Sequence, residues 1–231
     1  MEKSLLLDRL KGGLIVSCQT QAPLNGPEIM AAMAEAAVLG GAVGIRANGA
    51  EDVAAIRRRV SVPIIGINKQ RSPDYQVYIT PTLEAALAVV HAGAEIVALD
   101  GSPAPRPTGI HLRDLIAGVH EAGALVMADI STLDEGLWAA ECGADIVATT
   151  LSGYTPYSPK LDGPDLDLIE ALAGRISQPV IAEGRFYTPD DVRAAFERGA
   201  FAVVVGRAIT EPQLLTRRFV QATPRAAEAG Q

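Results

Sequence analysis

Short apolar runs alternate with one-sided helical stripes along almost the whole chain. The runs Gly13 to Gln19, Val43 to Arg46, Pro63 to Ile67 and Glu95 to Asp100 are followed by Leu125 to Ile130, Asp145 to Thr150, Pro179 to Glu183 and Phe201 to Gly206. Each is nearly continuous in hydrophobic residues, as strands buried on both faces are. Between them the pattern takes up the helical period. Leu112, Leu115, Ile116 and Val119 fall at i, i+3, i+4 and i+7, and Val53, Ile56 and Val60 make a second stripe. Gly-Ala precedes five of the runs, beginning at Gly41, Gly93, Gly123, Gly143 and Gly199, and glycine ends helices in the left-handed conformation. Thr188-Pro189-Asp190-Asp191 opens a helix with a capping hydroxyl and a proline in the first turn. The pattern predicts eight strands alternating with helices.

Such units either close as a barrel or open as a doubly wound sheet. No Gly-x-Gly-x-x-Gly turn follows the first strand, as a dinucleotide-binding sheet would want. The helix-to-strand connections are very short. The strand-to-helix loops are long: Asn68 to Pro81, Gly101 to Gly109 and Ser152 to Pro164. In a barrel these gather at the C-terminal face, where chemistry sits. Val62-Pro63-Ile64-Ile65 and Gln178-Pro179-Val180-Ile181 open the third and seventh strands, as a half-barrel repeat or chance would have it. The expectation is an α/β fold, a (β/α)8 TIM barrel, as one domain over 1–231. It has a short helical lead at 1–11 and a loose tail at 222–231. The length of 231 residues fits, since such barrels run to about 250.

Composition changes the picture little. With 48% hydrophobic and 20% charged residues the chain reads as globular. A net charge of −7 with no basic stripe argues against nucleic acid or an anionic membrane as partner. A small anionic ligand stays open, because a pocket can be locally positive. Cys18 and Cys142 lie far apart, and His91, His111 and His120 make no zinc pattern, so neither a disulfide nor a metal is expected. Met1 to Lys11 lacks a signal-peptide core and no apolar run reaches about 18 residues; the expected location is the cytoplasm. Helices with small apolar residues, such as Met30 to Ala37, could form a homodimer interface or pack on the sheet.

Candidate chemistry lies where a buried strand ends in a polar residue on the loop side. Gln19, Arg46, Lys69, Asp100, Asp129 and Glu183 meet that condition. Singly, each could be an ordinary strand-end charge; six on one rim would share a low-dielectric mouth. Gly184-Arg185 and Gly206-Arg207 follow the seventh and eighth strands, where barrels recurrently bind phosphate. The loop Tyr154-Thr155-Pro156-Tyr157 could cover a sugar or simply pack. Trp138 reads as outer-shell packing, and Cys18 as a small buried residue rather than a nucleophile.

These residues carry a resemblance. Lys11 to Gln19 (Lys-Gly-Gly-Leu-Ile-Val-Ser-Cys-Gln), Gly44-Ile45-Arg46-Ala47-Asn48-Gly49, Val77-Tyr78-Ile79-Thr80-Pro81-Thr82, Met127-Ala128-Asp129-Ile130-Ser131-Thr132, Thr149-Thr150-Leu151-Ser152-Gly153-Tyr154-Thr155 and Ile181-Ala182-Glu183-Gly184-Arg185 together resemble the N-acetylmannosamine-6-phosphate 2-epimerase family of bacterial sialic acid breakdown. The likeness runs from about Lys11 to Phe219. It implies epimerisation at C2 of a ring-opened phosphorylated amino sugar, with no cofactor. It also implies Lys69 as the acid/base, Glu183 moving protons at O1 and O5, and Arg46 stabilising the enolate or orienting the sugar. Asp129 and Gln19 would hold hydroxyl or acetamido groups, Tyr154 would lie against the substrate, and Gly184, Arg185, Gly206 and Arg207 would hold the phosphate. A free lysine near pKa 10.4 must fall by about 2–3 pH units to serve as a base near neutrality; desolvation and the charge of Arg46 both push that way.

The chain departs from the family pattern in three places. The usual Lys-Arg-Asp-Tyr run reads Lys69-Gln70-Arg71-Ser72-Pro73-Asp74-Tyr75, so the basic neighbour moves one place. After the eighth strand Arg207 replaces a small residue and Glu211 stands where an arginine is usual, so Arg207 is expected to take over the phosphate charge. The 19–25 loop is shorter than usual. Rival readings are a lyase or aldolase using Lys69 as a Schiff base, and a phosphosugar-binding protein without turnover. A phosphoribosyl isomerase would share the phosphate site but leave Lys69 without a role.

Overall fold

A computed structural model of the chain describes residues 3–225. Its strands are β1 (Leu14–Cys18), β2 (Gly44–Asn48), β3 (Ile64–Ile67), β4 (Ile96–Asp100), β5 (Leu125–Asp129), β6 (Ile146–Ala148), β7 (Val180–Glu183) and β8 (Ala202–Val205). All pair in parallel in chain order, and β1 closes on β8. Helix α1 (Lys3–Leu10) precedes the barrel. The outer helices are α2 (Pro27–Leu39), α3 (Ala50–Arg57), α4 (Leu83–His91), α5 (Leu112–Glu121), α6 (Leu133–Cys142), α7 (Leu166–Ala173) and α8 (Pro189–Glu197), and α9 (Arg207–Thr210) and α10 (Pro212–Gln221) follow β8. This is the expected (β/α)8 barrel. Beyond residue 225, the expected tail lies outside the described residues. Among the described residues no helix is long and apolar enough to cross a membrane.

Each strand buries both faces, and alternate residues divide between two cores. Ile15, Ile65, Ile67, Ala98, Met127 and Ala148 belong to a cluster filling the barrel, together with Ile181 and Val204. Their neighbours Val16, Ile64, Val97, Val126, Val147 and Val203 pack outward with the helices. The helical stripe of α5 is fully buried in that outer layer. Val60 lies past the end of α3 but is buried there too. Thr188 caps α8 in a reciprocal capping box with Asp191. Met30, Ala31 and Ala34 of α2 are buried in the outer core, which leaves that face unavailable as a dimer surface.

Continuing the inward parity past the apolar layers gives Ser17, Arg46, Lys69, Asp100, Asp129, Thr150, Glu183 and Gly206 at the C-terminal rim. Several strand ends differ from the pattern-based expectation by one or two residues, among them β5 at Asp129, β6 at Ala148 and β8 at Val205. β1 stops at Cys18, leaving Gln19 one residue outside, and β2 runs on to Asn48 because its ladder with β3 continues to Ile67. The other end of the barrel is closed by α1, whose Leu6 and Leu10 join the interior cluster. A Cβ on Gly44 would come within 2.8 Å of Leu10 Cδ2, so the plug packs directly against the β2 backbone there.

Candidate active site

The backbone at the rim is fixed before the side chains act. Thr149 Oγ1 donates to the Glu183 carbonyl at 2.9 Å and accepts the Glu183 N–H at 3.1 Å, tying the end of β7 to the end of β6. The Lys69 N–H donates to Asn48 Oδ1 at 2.9 Å. The loop after β3 doubles back as a ribbon, with the Gln70 N–H on the Tyr78 carbonyl at 2.9 Å. Arg71, the displaced basic residue, stacks over the Tyr78 ring at 4.3 Å.

Arg46 is the centre of the charge cluster. It is 1% exposed, and Asp129 is fully buried. Its Nη1 and Nη2 donate to Asp129 Oδ1 and Oδ2 at 3.0 and 2.6 Å, a bidentate pair. Nη1 also donates to Glu183 Oε2 in a short contact. Lys69 Nζ donates to Gln19 Oε1 at 2.7 Å, and Gln19 Nε2 donates to Ser17 Oγ at 2.8 Å. Lys69 is exposed to the open mouth, yet protein atoms crowd its amine from several sides. The crowding matters more, since a substrate filling the mouth would displace the water that makes the residue accessible. Burial, and then the Arg46 charge, hold the Lys69 pKa below the ordinary lysine range, with Glu183 and Asp129 opposing. Burial and the Asp129 charge push Glu183 up to about 7 against the pull of the Arg46 and Lys69 charges. A base brought down and an acid brought up, facing one mouth, make a proton-transfer site.

The mouth encloses about 710 Å³. Gln19, Arg46, Lys69, Tyr154, Glu183, Gly184, Arg185, Gly206 and Arg207 all line it. Asp129 is absent from the lining. Its oxygens are taken by Arg46 and by Thr150 Oγ1 at 2.6 Å, so it has no face to offer a sugar hydroxyl. Asp100 also stays outside the mouth, its Oδ1 accepting the Ser102 N–H at 2.8 Å. Burial pushes the Cys18 thiol up to about 12, which suits packing and not nucleophilic attack.

After β7, Arg185 adopts φ 58, a left-handed conformation uncommon for a side-chain-bearing residue. Its Nε donates to the Gly163 carbonyl at 2.7 Å and Nη1 to the Ser152 carbonyl, while its guanidinium lies 5.7 Å from the Tyr154 ring. Arg185 thus staples the loop after β6 to β7. A Cβ on Gly153 would strike Arg185 Nη1 at 2.2 Å, so that staple depends on glycine. Arg207 is 60% exposed, with Nε on Glu211 Oε2 at 3.0 Å. Thr150, Tyr78 and Arg217 line the mouth without having been picked out from the sequence. Inward parity with Ile146 and Ala148 points to Thr150, a hydroxyl at the end of the sixth run that the charged and amide strand ends overshadow. Arg217 sits on α10, beyond the strand-end rule. Trp138 is 42% exposed on α6, on the outer layer. Among the described residues no group of three His, Cys, Asp or Glu could hold a metal ion.

Comparison with known proteins gives one consistent match. The family model described as "Putative N-acetylmannosamine-6-phosphate epimerase" matches residues 30–225. A protein of Caldanaerobacter subterraneus subsp. tengcongensis is 52% identical over 219 residues, covering 93% of this chain and 92% of its own length. One from Clostridioides difficile is 50% identical over 219 residues, covering 94% and 98%. Both carry the description N-acetylmannosamine-6-phosphate 2-epimerase, prefixed as above. The solved structure of the N-acetylmannosamine-6-phosphate 2-epimerase from Clostridium perfringens superposes with a TM-score of 0.93 at 44% identity, covering 96% of this chain and 98% of that one. Thiamine phosphate pyrophosphorylase from Pyrococcus furiosus shares the fold alone, with a TM-score of 0.62 at 19% identity.

Proposed function

Because this chain belongs to the N-acetylmannosamine-6-phosphate epimerase family, we propose that it interconverts N-acetylmannosamine 6-phosphate and N-acetylglucosamine 6-phosphate in amino sugar breakdown. The C2 hydrogen becomes acidic only beside a carbonyl, so the pyranose first opens to the aldehyde. Glu183, protonated up to about pH 7, gives its proton to O5 as the ring opens and takes the O1 proton in exchange, and reverses both transfers on closure. Lys69 then lifts the C2 hydrogen, and the resulting enolate is planar at C2 and can take a proton on either face. Arg46 acts from behind: its Nη atoms are engaged with Asp129 and Glu183, and its charge favours the neutral amine of Lys69. Gln19 holds that amine in place and faces the acetamido side. Gly184 and Gly206 form the backbone approach to the phosphate. Arg207 supplies the charge, oriented through Nε by Glu211, with Arg217 beside it. Tyr154 covers the sugar.

The observation that carries this reading is the Lys69 amine and the Glu183 carboxyl lining one cavity, with the buried Arg46 guanidinium paired to Glu183. Its test is exchange of the C2 hydrogen with solvent deuterium, followed by NMR. Wild type exchanges and Lys69→Ala does not, while Lys69→Ala still binds the phosphosugar in calorimetry. Exchange surviving in Lys69→Ala, or a borohydride-trapped adduct at Lys69, overturns the assignment. A phosphorylated sugar does not cross membranes unaided, which supports a cytoplasmic reaction. Exposed Phe219 and Val220 on α10 support a homodimer, to be measured by sedimentation.

A further inference from the structure

Among the described residues, Thr150 is the uncharged side chain that touches Arg46, Asp129 and Glu183 together. Its Oγ1 lies 2.6 Å from Asp129 Oδ1, 3.1 Å from Glu183 Oε2 and 3.4 Å from Arg46 Nη1. A hydroxyl has one hydrogen to give and two lone pairs to receive with, so it cannot donate to both carboxylates at once. The shorter contact is to Asp129. Arg46 Nη1 is 3.4 Å away, but its two hydrogens go to Asp129 Oδ1 and Glu183 Oε2. A lone pair of Oγ1 is therefore free for Glu183.

We propose that Thr150 is a positioning residue that sets the proton polarity of the carboxylate pair: it donates to Asp129 and accepts from a protonated Glu183. Asp129 then receives hydrogen bonds from Arg46 Nη1, Arg46 Nη2 and Thr150, which leaves Oγ1 no hydrogen for Glu183. The single extra proton of the pair resides on Glu183, the carboxyl that lines the mouth. The groups facing Glu183 are Arg46 from β2, Lys69 after β3, Asp129 from β5 and Thr150 after β6. When Glu183 delivers its proton to the opening ring, a lone pair of Oγ1 is left against a carboxylate oxygen. That contact favours uptake of the O1 proton in exchange.

This inference rests on the reading of Glu183 as the proton carrier of ring opening, but its test does not need turnover. The carboxyl carbon of Glu183 is titrated by 13C NMR in the free enzyme, with Glu183→Gln used to assign the signal. Thr150→Val and Thr150→Ala each remove the hydroxyl, the first with little change of shape; Thr150→Ser keeps it. The expected result is a Glu183 midpoint about half to one pH unit lower in Val or Ala, the size of one neutral hydrogen bond, and restored in Ser. The alkaline limb of kcat/KM moves with it. A midpoint that stays put or rises overturns the proposal, because a Thr150 donating to Glu183 would raise the midpoint when lost. If the midpoint falls as expected while Glu183→Gln still turns over, the role of Glu183 fails and the polarity of Thr150 stands.

Discussion

Asp129→Asn keeps the shape of a fully buried side chain and removes one charge. Thr150 Oγ1 is 2.6 Å from Asp129 Oδ1 and 3.1 Å from Glu183 Oε2, so the two carboxylate oxygens are at most about 5.7 Å apart. Two unit negative charges at that distance repel by roughly 3 kcal/mol at an effective dielectric of about 20, equal to about two pH units. That repulsion is second only to burial in holding the Glu183 carboxyl near 7. Without it the carboxyl moves toward the ordinary range, and most enzyme molecules lose the ring-opening proton at neutral pH. The assay is kcat/KM from about pH 5 to about pH 9, read by coupled detection of N-acetylglucosamine 6-phosphate. The alkaline limb should move about 1–2 pH units toward acid, and activity near pH 7.5 should fall about 10- to 100-fold. A profile scaled down uniformly, with its limb still near 7, would refute the electrostatic account and leave Asp129 as a mere spacer for Arg46.

Glu183 has a folded-state pKa above its unfolded value, so stability present below about 4.5 is lost as pH rises to about 7. Glu183→Gln, which does not titrate, should therefore gain on wild type across that window by up to roughly 3 kcal/mol in urea unfolding; a gap that does not grow with pH contradicts the burial argument. Arg207→Ala should raise KM for the phosphorylated sugar about 10- to 100-fold with kcat nearly unchanged, and a fall in kcat alone would move Arg207 out of the anion site. Leu10→Ala, at the opposite end of the barrel, should cost about 2–5 kcal/mol of stability and leave kcat untouched. Equal loss of kcat in that variant would mean that the plug and the mouth are coupled.

The barrel was legible because its strands are buried on both faces, and burial on both faces writes a continuous apolar run. Parity did the rest: Lys69, Asp129 and Glu183 each fall two residues beyond an inward apolar residue, which is why a strand-end rule found them. What the rule could not give is direction and depth. Asp129 and Glu183 look alike in sequence, yet one is sealed behind Arg46 and the other opens on the mouth, a difference set by three converging strands. Arg185 and Arg207 were legible as cations after the seventh and eighth strands, but Arg185 not as a loop staple, because its partners Ser152 and Gly163 are chosen by loop geometry, whereas Glu211 stands at helical spacing from Arg207. Thr150 escaped since a hydroxyl is unremarkable until two carboxylates contest its hydrogen.

Leu6 and Leu10 seal the floor beneath the reaction chamber. Reactant and product must therefore use the same door. Each excludes the other while bound, so the enzyme cannot pass its product through the barrel to a partner on the far side. Net conversion depends on how quickly something in bulk solution consumes the released sugar phosphate, and a stalled consumer would slow this catalyst simply by keeping its chamber full.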